Sequence, residues 1–275
     1  MKLKRRKTKF LVIWIAVMAI LLAAIILLGL SPGEEESIKE VMQDGVLHEV
    51  HKIDLFGLVQ VNPALISAYI VTAALLLAAA IIRIFVIPRF KRIPGKFQTV
   101  LEKLVEFFSD MAKTNSPHKT NVVAAYIFSA GVYIFFSTIF ELLGVQVIST
   151  QGASISLPAP LADINGAIGM GLFSYLFILV SGIVYNGVKG GLGVLKDFSL
   201  PISMSFRLFG ALLSGALVTE LVYYYSSLSF VLPVLVGVLF TLLHAIIQTY
   251  VLATLASIFY GEAAEPKKKK LKEGN

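Results

Sequence analysis

The chain has 275 residues, is 57% hydrophobic and has a mean hydropathy of +0.82, with 15% charged residues against about 25% in an ordinary soluble domain. That leaves too little polar surface to cover a water-soluble globule, and the absence of cysteine excludes disulfides and thiolate metal sites. The net charge of +7 is distributed between apolar runs in a way that argues against a nucleic-acid binder.

Six apolar runs lie at roughly 10–30, 64–87, 122–144, 165–187, 199–226 and 230–261. A hydrocarbon core of about 30 Å needs about 20 apolar residues per helical span, so each run is long enough to cross. Period-2 alternation with aromatic girdles is absent, which argues against a transmembrane barrel. The expected class is all-α and polytopic, about six membrane helices in one bundle.

Of the 24 Lys and Arg residues, 20 fall before the first run, between runs two and three, between runs four and five, and after the last. Lys39 and Lys52 alone occupy the alternate connections, while Arg83 and Arg207 lie within runs. The positive-inside bias then places both termini in the cytoplasm. The first run is either a retained helix or a secretory signal. Its length of about 21 apolar residues and the lack of a small-x-small site after it favour a retained helix.

Residues 31–62 form an acidic, external, amphipathic segment. Pro32 and Gly33 end the first helix, and Asn62-Pro63 begins the second. His48 and His51 flank Glu49 there, but no third ligand is evident, so the pair is read as a solvated surface and no metal or other cofactor is expected. Between 96 and 113, Phe97, Leu101, Leu104, Val105, Phe108 and Met111 recur at helical spacing among Glu102, Lys103, Glu106 and Asp110. This pattern predicts an amphipathic helix on the cytoplasmic membrane face or against a partner. Gly187, Gly190, Gly191 and Gly193 lack the strand and following Lys-Ser/Thr of a phosphate loop and are read as a flexible cytoplasmic turn. The last two runs are long enough that they must tilt, bend or project from the membrane, giving a tilted hairpin with one broad lateral face. The tail 266–272 is read as an orientation signal that contacts anionic lipids.

Arg83 lies four residues from a helix end and can snorkel to the interface. Arg207 has less room, and an arginine mid-membrane costs at least about 2.5–3.5 kcal/mol, so it needs a partner or a task. An internal ion pair would involve Glu220, Glu141 or Asp163. Glu220 lies about 220° around the helix from Arg207. The stripe with Arg207 also carries Ser203, Ala211 and Ser214, with Gly210 and Gly215 nearby, and small residues admit close approach of another helix. Arg207 is thereby available to a carboxylate on another subunit, where its charge favours the ionised acid and ejects the bound proton or cation. On the last run Thr241, His244 and Gln248 share a face, and with Glu220 they are read as lining for a water-filled conduit.

The run Pro201-Ile202-Ser203-Met204-Ser205-Phe206-Arg207-Leu208-Phe209-Gly210 resembles the signature of subunit a of rotary F-type ATP synthases. Three further stretches agree in order and spacing: Pro94 to Thr99, Ala162-Asp163-Ile164-Asn165, and Ile247-Gln248-Thr249-Tyr250-Val251 ahead of Tyr260. The resemblance implies a stator subunit with no catalytic site of its own, beside a ring of c subunits, providing two half-channels for H+ or Na+. It makes Arg207 the essential arginine between the channels, Gln248 its partner glutamine and Ser203 a channel-lining serine, with Asp163 and Asn165 in a further matching stretch. It implies as partners the c-ring, the b-subunit peripheral stalk, the remaining synthase subunits and membrane lipids, in a bacterial plasma membrane. On this reading the chain divides into a membrane helix (1–30), the acidic segment (31–62), an ion-translocating core (63–262) and a basic tail (263–275).

The chain departs from the family pattern at three places. Ala211 stands where Asn is usual, Ala216 where Glu or His is usual, and Thr241 where His or Glu is usual. Glu220 and His244 each lie one turn further along, which in an antiparallel hairpin staggers them by roughly 8 Å. Either waters bridge that pair or Glu141, near the end of its span, shares the duty. A stand-alone transporter would instead carry internal repeats and broken helices, and no convincing repeat is present. A scaffold whose charges fix helix register is the third reading.

Overall fold

The computed structural model describes residues 53–55, 59–148, 154–224 and 232–265. The first apolar run, the His48–His51 pair and the tail beyond Glu265 lie outside the described residues. Strands β1 (Ile53–Leu55) and β2 (Val59–Val61) pair antiparallel with Ile53 opposite Val61. A hairpin therefore closes the segment that the sequence presented as amphipathic surface.

Helix α1 (Pro63–Ile81) begins where the Asn62 side chain accepts from the Ala64 N–H at 3.0 Å, with Pro63 in the first turn, where its missing N–H is not needed. Its buried residues are Pro63, Ala64, Ser67 and Val71, while Tyr69, Leu76 and Leu77 are exposed. A helix that leaves most of its apolar surface uncovered is stable in lipid rather than in water. Arg83 follows in a π-helical turn, Ile82–Val86, ahead of Pro88. Such turns form where a helix absorbs a local mismatch, and Pro88, the second residue after this one, has no N–H to donate.

Helix α2 (Lys96–Asn115) is the expected amphipathic element, and its first partner is the protein's own α3 (Thr120–Ile139). Phe108 and Ala112 are buried with Val123 and Ile127, and Phe108 meets Phe128 edge to face at 5.6 Å. Phe97, Val100 and Phe107 of α2 stay exposed. Beyond α3, a 3-10 turn (Phe140–Leu143) carries Glu141 and ends at Gly144, whose φ of 56° supplies a left-handed cap. Strands β3 (Gln146–Ile148) and β4 (Ser154–Ser156) form a second hairpin in the next connection.

Helix α4 (Ile164–Leu195) is two helices broken at Gly187, which has φ 64° and ψ −162°. The glycine-rich stretch is thus not the flexible turn expected of it: the reversal is confined to one residue and 188–195 is helical. After the break the chain packs back on itself, with Gly190 against the Gly182 carbonyl and Gly191 against Ile183. The Tyr175 hydroxyl donates to the Val194 carbonyl at 3.3 Å across the same reversal. The small residues are there because two helical segments touch backbone to backbone.

Helices α5 (Ser199–Tyr224) and α6 (Leu232–Ala264) complete the described chain, with 26 and 33 residues. At 1.5 Å per residue they reach about 39 and 50 Å. Among the described residues, Pro63–Arg89, Pro117–Leu143, Ile164–Leu195 and Gly237–Ala264 are each long and apolar enough to cross a bilayer. The protein is an all-α polytopic membrane protein.

The described residues fall into two compact units, one holding 214–224 and 232–240 and the other the remaining described residues. In the larger unit one core cluster joins Leu200 and Met204 of α5 to Ala253, Ala256 and Tyr260 of α6. A second joins Ala130 and Ile134 of α3, Ala167 of α4, Leu208 and Leu212 of α5, and Leu252 of α6.

Candidate functional site

The inner face of α5 is apolar: Leu200, Met204, Leu208 and Leu212 are all buried. Four-residue spacing places them on one stripe, which turns Ser203, Phe206, Arg207 and Gly210 outward. All four outward residues are exposed, and a Cβ built on Gly210 would meet nothing within 4 Å. Arg207 therefore stands on an uncovered face beside an open, side-chain-free position. Among the described residues neither Glu141 nor Asp163 pairs with it; the ion pair seen there is Lys113 with Asp110 on α2, at 3.0 Å. The internal pairings with Glu141 and Asp163 thus do not form.

The approach of α4 to this part of α5 is set by Gly171. A Cβ there would collide with the Ser205 hydroxyl and lie 2.9 Å from the Pro201 carbonyl. Ser205 in turn donates to that carbonyl at 2.7 Å, so its hydroxyl is turned back onto its own helix. The turn just before Arg207 is braced from behind by backbone, leaving the guanidinium side free.

On α6 Gln248 is buried, at 6% exposure, and His244 one turn earlier is half-buried. Thr249 follows Gln248 and donates to the Gly131 carbonyl at 3.3 Å, which ties this level of α6 to α3. Further along, Ser116 donates to the Ser257 carbonyl at 2.6 Å and Asn115 to the Ser257 hydroxyl at 2.7 Å. At the end of α6, the Asn186 amide donates to the carbonyls of Ala263 at 2.7 Å and Glu265 at 3.0 Å. The Ala263 carbonyl belongs to the last turn of α6 and Glu265 directly follows the helix, so Asn186 caps α6 from another helix. An aromatic column runs alongside: Tyr126 stacks on Phe177 at 4.0 Å, Phe177 on Tyr260 at 4.9 Å, and Lys119 lies 4.7 Å over Tyr185. The helix carrying Gln248 is held in rotation and in axial register.

The remaining candidates divide. Glu141 is half-buried in the 3-10 turn after α3. Asp163 is the N-cap of α4, accepting from the Asn165 N–H at 3.2 Å, and the Asn165 side chain also reaches its Oδ1 at 3.4 Å. These two residues thus have a local structural task at the start of a span. Glu220 lies on α5 within the smaller unit, and its side chain lies outside the described residues. Ser203, Arg207, His244 and Gln248 belong to one unit; no hydrogen bond joins Arg207 to Gln248. Sequence reasoning missed Gly171, Asn186 and the Ser116–Ser257 tie. Of these, Gly171 alone left a trace, as one of a close set of glycines in an apolar run.

A family model described as the ATP synthase A chain matches residues 66–261, more than two-thirds of the chain. The match takes in Arg207, Gln248 and every other candidate residue described above.

Proposed function

Because the chain belongs to the ATP synthase A chain family, matching subunit a of the F-type membrane sector, we propose that it is the stator subunit that feeds ions to and from a rotating ring of c subunits. It provides two half-channels for H+ or Na+ and couples ion flow to rotation and ATP synthesis, with catalysis in other subunits. Its partners are the c-ring, the b-subunit stalk, the other synthase subunits and the surrounding lipid. The long α5 and α6 form a tilted hairpin whose lateral face lies along the ring. On this reading both termini lie on the cytoplasmic side, which the positive-inside bias of Lys and Arg supports, and the membrane is a bacterial plasma membrane.

The observation that carries this reading is the outward, uncovered Arg207. A loaded ring carboxylate arriving beside the guanidinium gains more from being ionised than from keeping its proton or cation, so the ion leaves. The fixed positive charge also prevents a loaded carboxylate from passing between the two channels. Gln248 steadies the guanidinium once the ring is in place, and Ser203 lines the approach. Glu220 and His244 line one half-channel and Glu141 contributes an acid to it, with Asp163 and Asn165 at the mouth of the adjoining span.

Affinity purification of the tagged chain from mild detergent tests the reading. The c-ring and the b subunit are expected with it in fixed proportion. A monodisperse chain that conducts ions in liposomes without them would make it a stand-alone transporter. ATP synthesis driven by ΔpH or by a sodium gradient then identifies the ion.

A further inference from the structure

The inward face of α3 is apolar from Val123 to Ile134 and then becomes polar, with Ser137 and Thr138 buried and Glu141 following. Buried hydroxyls are ordinarily spent on a protein partner. Thr138 donates to the Ile134 carbonyl at 2.8 Å, Ser67 to the Pro63 carbonyl at 3.2 Å and Ser181 to the Ile178 carbonyl at 2.7 Å. Ser137 is different. Its side chain is wholly enclosed, at 0% exposure, and its Oγ has no hydrogen-bond partner, the one such buried side-chain atom among the described residues. Leaving a buried hydroxyl unpaired is costly, and the usual back-bond to the preceding turn was open to it as it was to Thr138.

Ser137 lies one turn before Glu141, roughly 6 Å along the axis. We propose that the Ser137 hydroxyl is a proton relay that links Glu141 to water in the interior of the bundle. The proposal rests on the ion-conducting reading above and names the group that carries the ion past Glu141. A hydroxyl is suited to the task because it accepts and donates at once. As a proton from the Glu141 carboxyl bonds to Oγ, directly or through one water, the hydroxyl's own proton passes to the next water. One O–H bond forms, another breaks, and rotation about the C–O bond restores the starting state. Thr138, whose proton is engaged with a backbone carbonyl, is unsuited to it. Aspartate or glutamate at 137 would trap the proton, whereas serine passes it on.

The test uses the assembled synthase in inverted membrane vesicles, with Arg207→Ala in the same series. Ser137→Ala is expected to lower ΔpH-driven ATP synthesis roughly five- to tenfold, with co-purification of the ring unchanged, and Ser137→Thr to recover most of the rate. The chain has no cysteine, so Ser137→Cys gives it a single thiol. That thiol is expected to react with a small charged thiosulfonate despite its burial, because water reaches it. A Ser137→Ala complex that assembles and makes ATP at the wild-type rate overturns the relay, as does a Ser137→Cys thiol that stays unlabelled. If Ser137→Ala does not assemble, the labelling decides alone. Where Arg207→Ala stops synthesis and Ser137→Ala does not, the relay falls and the ion-conducting reading stands; normal synthesis in Arg207→Ala removes the reading itself.

Discussion

Arg207 and Gln248 occupy opposite environments on neighbouring helices. The arginine is outward and uncovered, and the glutamine is 6% exposed and held at its level by the Thr249 tie to α3. A hydrogen bond to a charged group contributes about 1.5–3 kcal/mol. If Gln248 steadies the guanidinium when the ring is engaged, Gln248→Leu, which keeps the volume and loses the amide, slows coupled ATP synthesis roughly tenfold or more while the complex still assembles. The rate of ΔpH-driven synthesis in vesicles checks this, and an unchanged rate removes Gln248 from the mechanism. Both residues were legible because each is a strongly polar group in an apolar run, a feature visible without any partner. Asn186 and Ser257 were not legible. Their partners lie 77 to 142 residues away, and a polar residue near a helix end has many unremarkable uses.

At the scale of the element, two glycines position the α4–α5 region. Gly171 lets α4 approach the turn before Arg207, and any Cβ there meets the Pro201 carbonyl, which cannot swing aside as a side chain can. Gly171→Val is therefore expected to push α4 and α5 apart, lowering the yield of assembled complex and the coupled rate together. Wild-type yield and rate in that variant would show that the contact is dispensable. Gly187 has a backbone conformation of φ 64° and ψ −162°, a region that side chains essentially exclude at about 1–3 kcal/mol. Gly187→Ala is expected to lower the thermal stability of the purified complex; an unchanged melting temperature would mean that the reversal tolerates a Cβ. The starts of the six helices of the described chain were readable within a few residues from periodicity, caps and prolines, whereas α4 runs to Leu195 although its apolar run ended near 187. The sharp reversal was hidden, because four glycines in seven residues suggest looseness, while the structure uses Gly187 for its backbone conformation and Gly190 and Gly191 for close packing. The hairpins β1–β2 and β3–β4 were equally hidden, since strands of three residues carry no readable alternation.

For the whole molecule, composition alone decided the solvent. A helix such as α1, apolar and mostly uncovered, makes physical sense in hydrocarbon, and the alternation of Lys and Arg between connections is what supports the proposed orientation. The outward face of α5 sets one fixed charge near Ser203 and Gly210, where a neighbouring subunit can reach it. A membrane protein carries a cost of at least about 2.5–3.5 kcal/mol for such a charge when the group does work. The most direct measurement is ATP synthesis by vesicles containing the Arg207→Ala complex, with ring co-purification quantified in the same preparation. If the fixed charge at Arg207 forces the ring carboxylate to unload, the complex is fully assembled and its ΔpH-driven ATP synthesis is abolished. Wild-type synthesis by that complex would contradict that role.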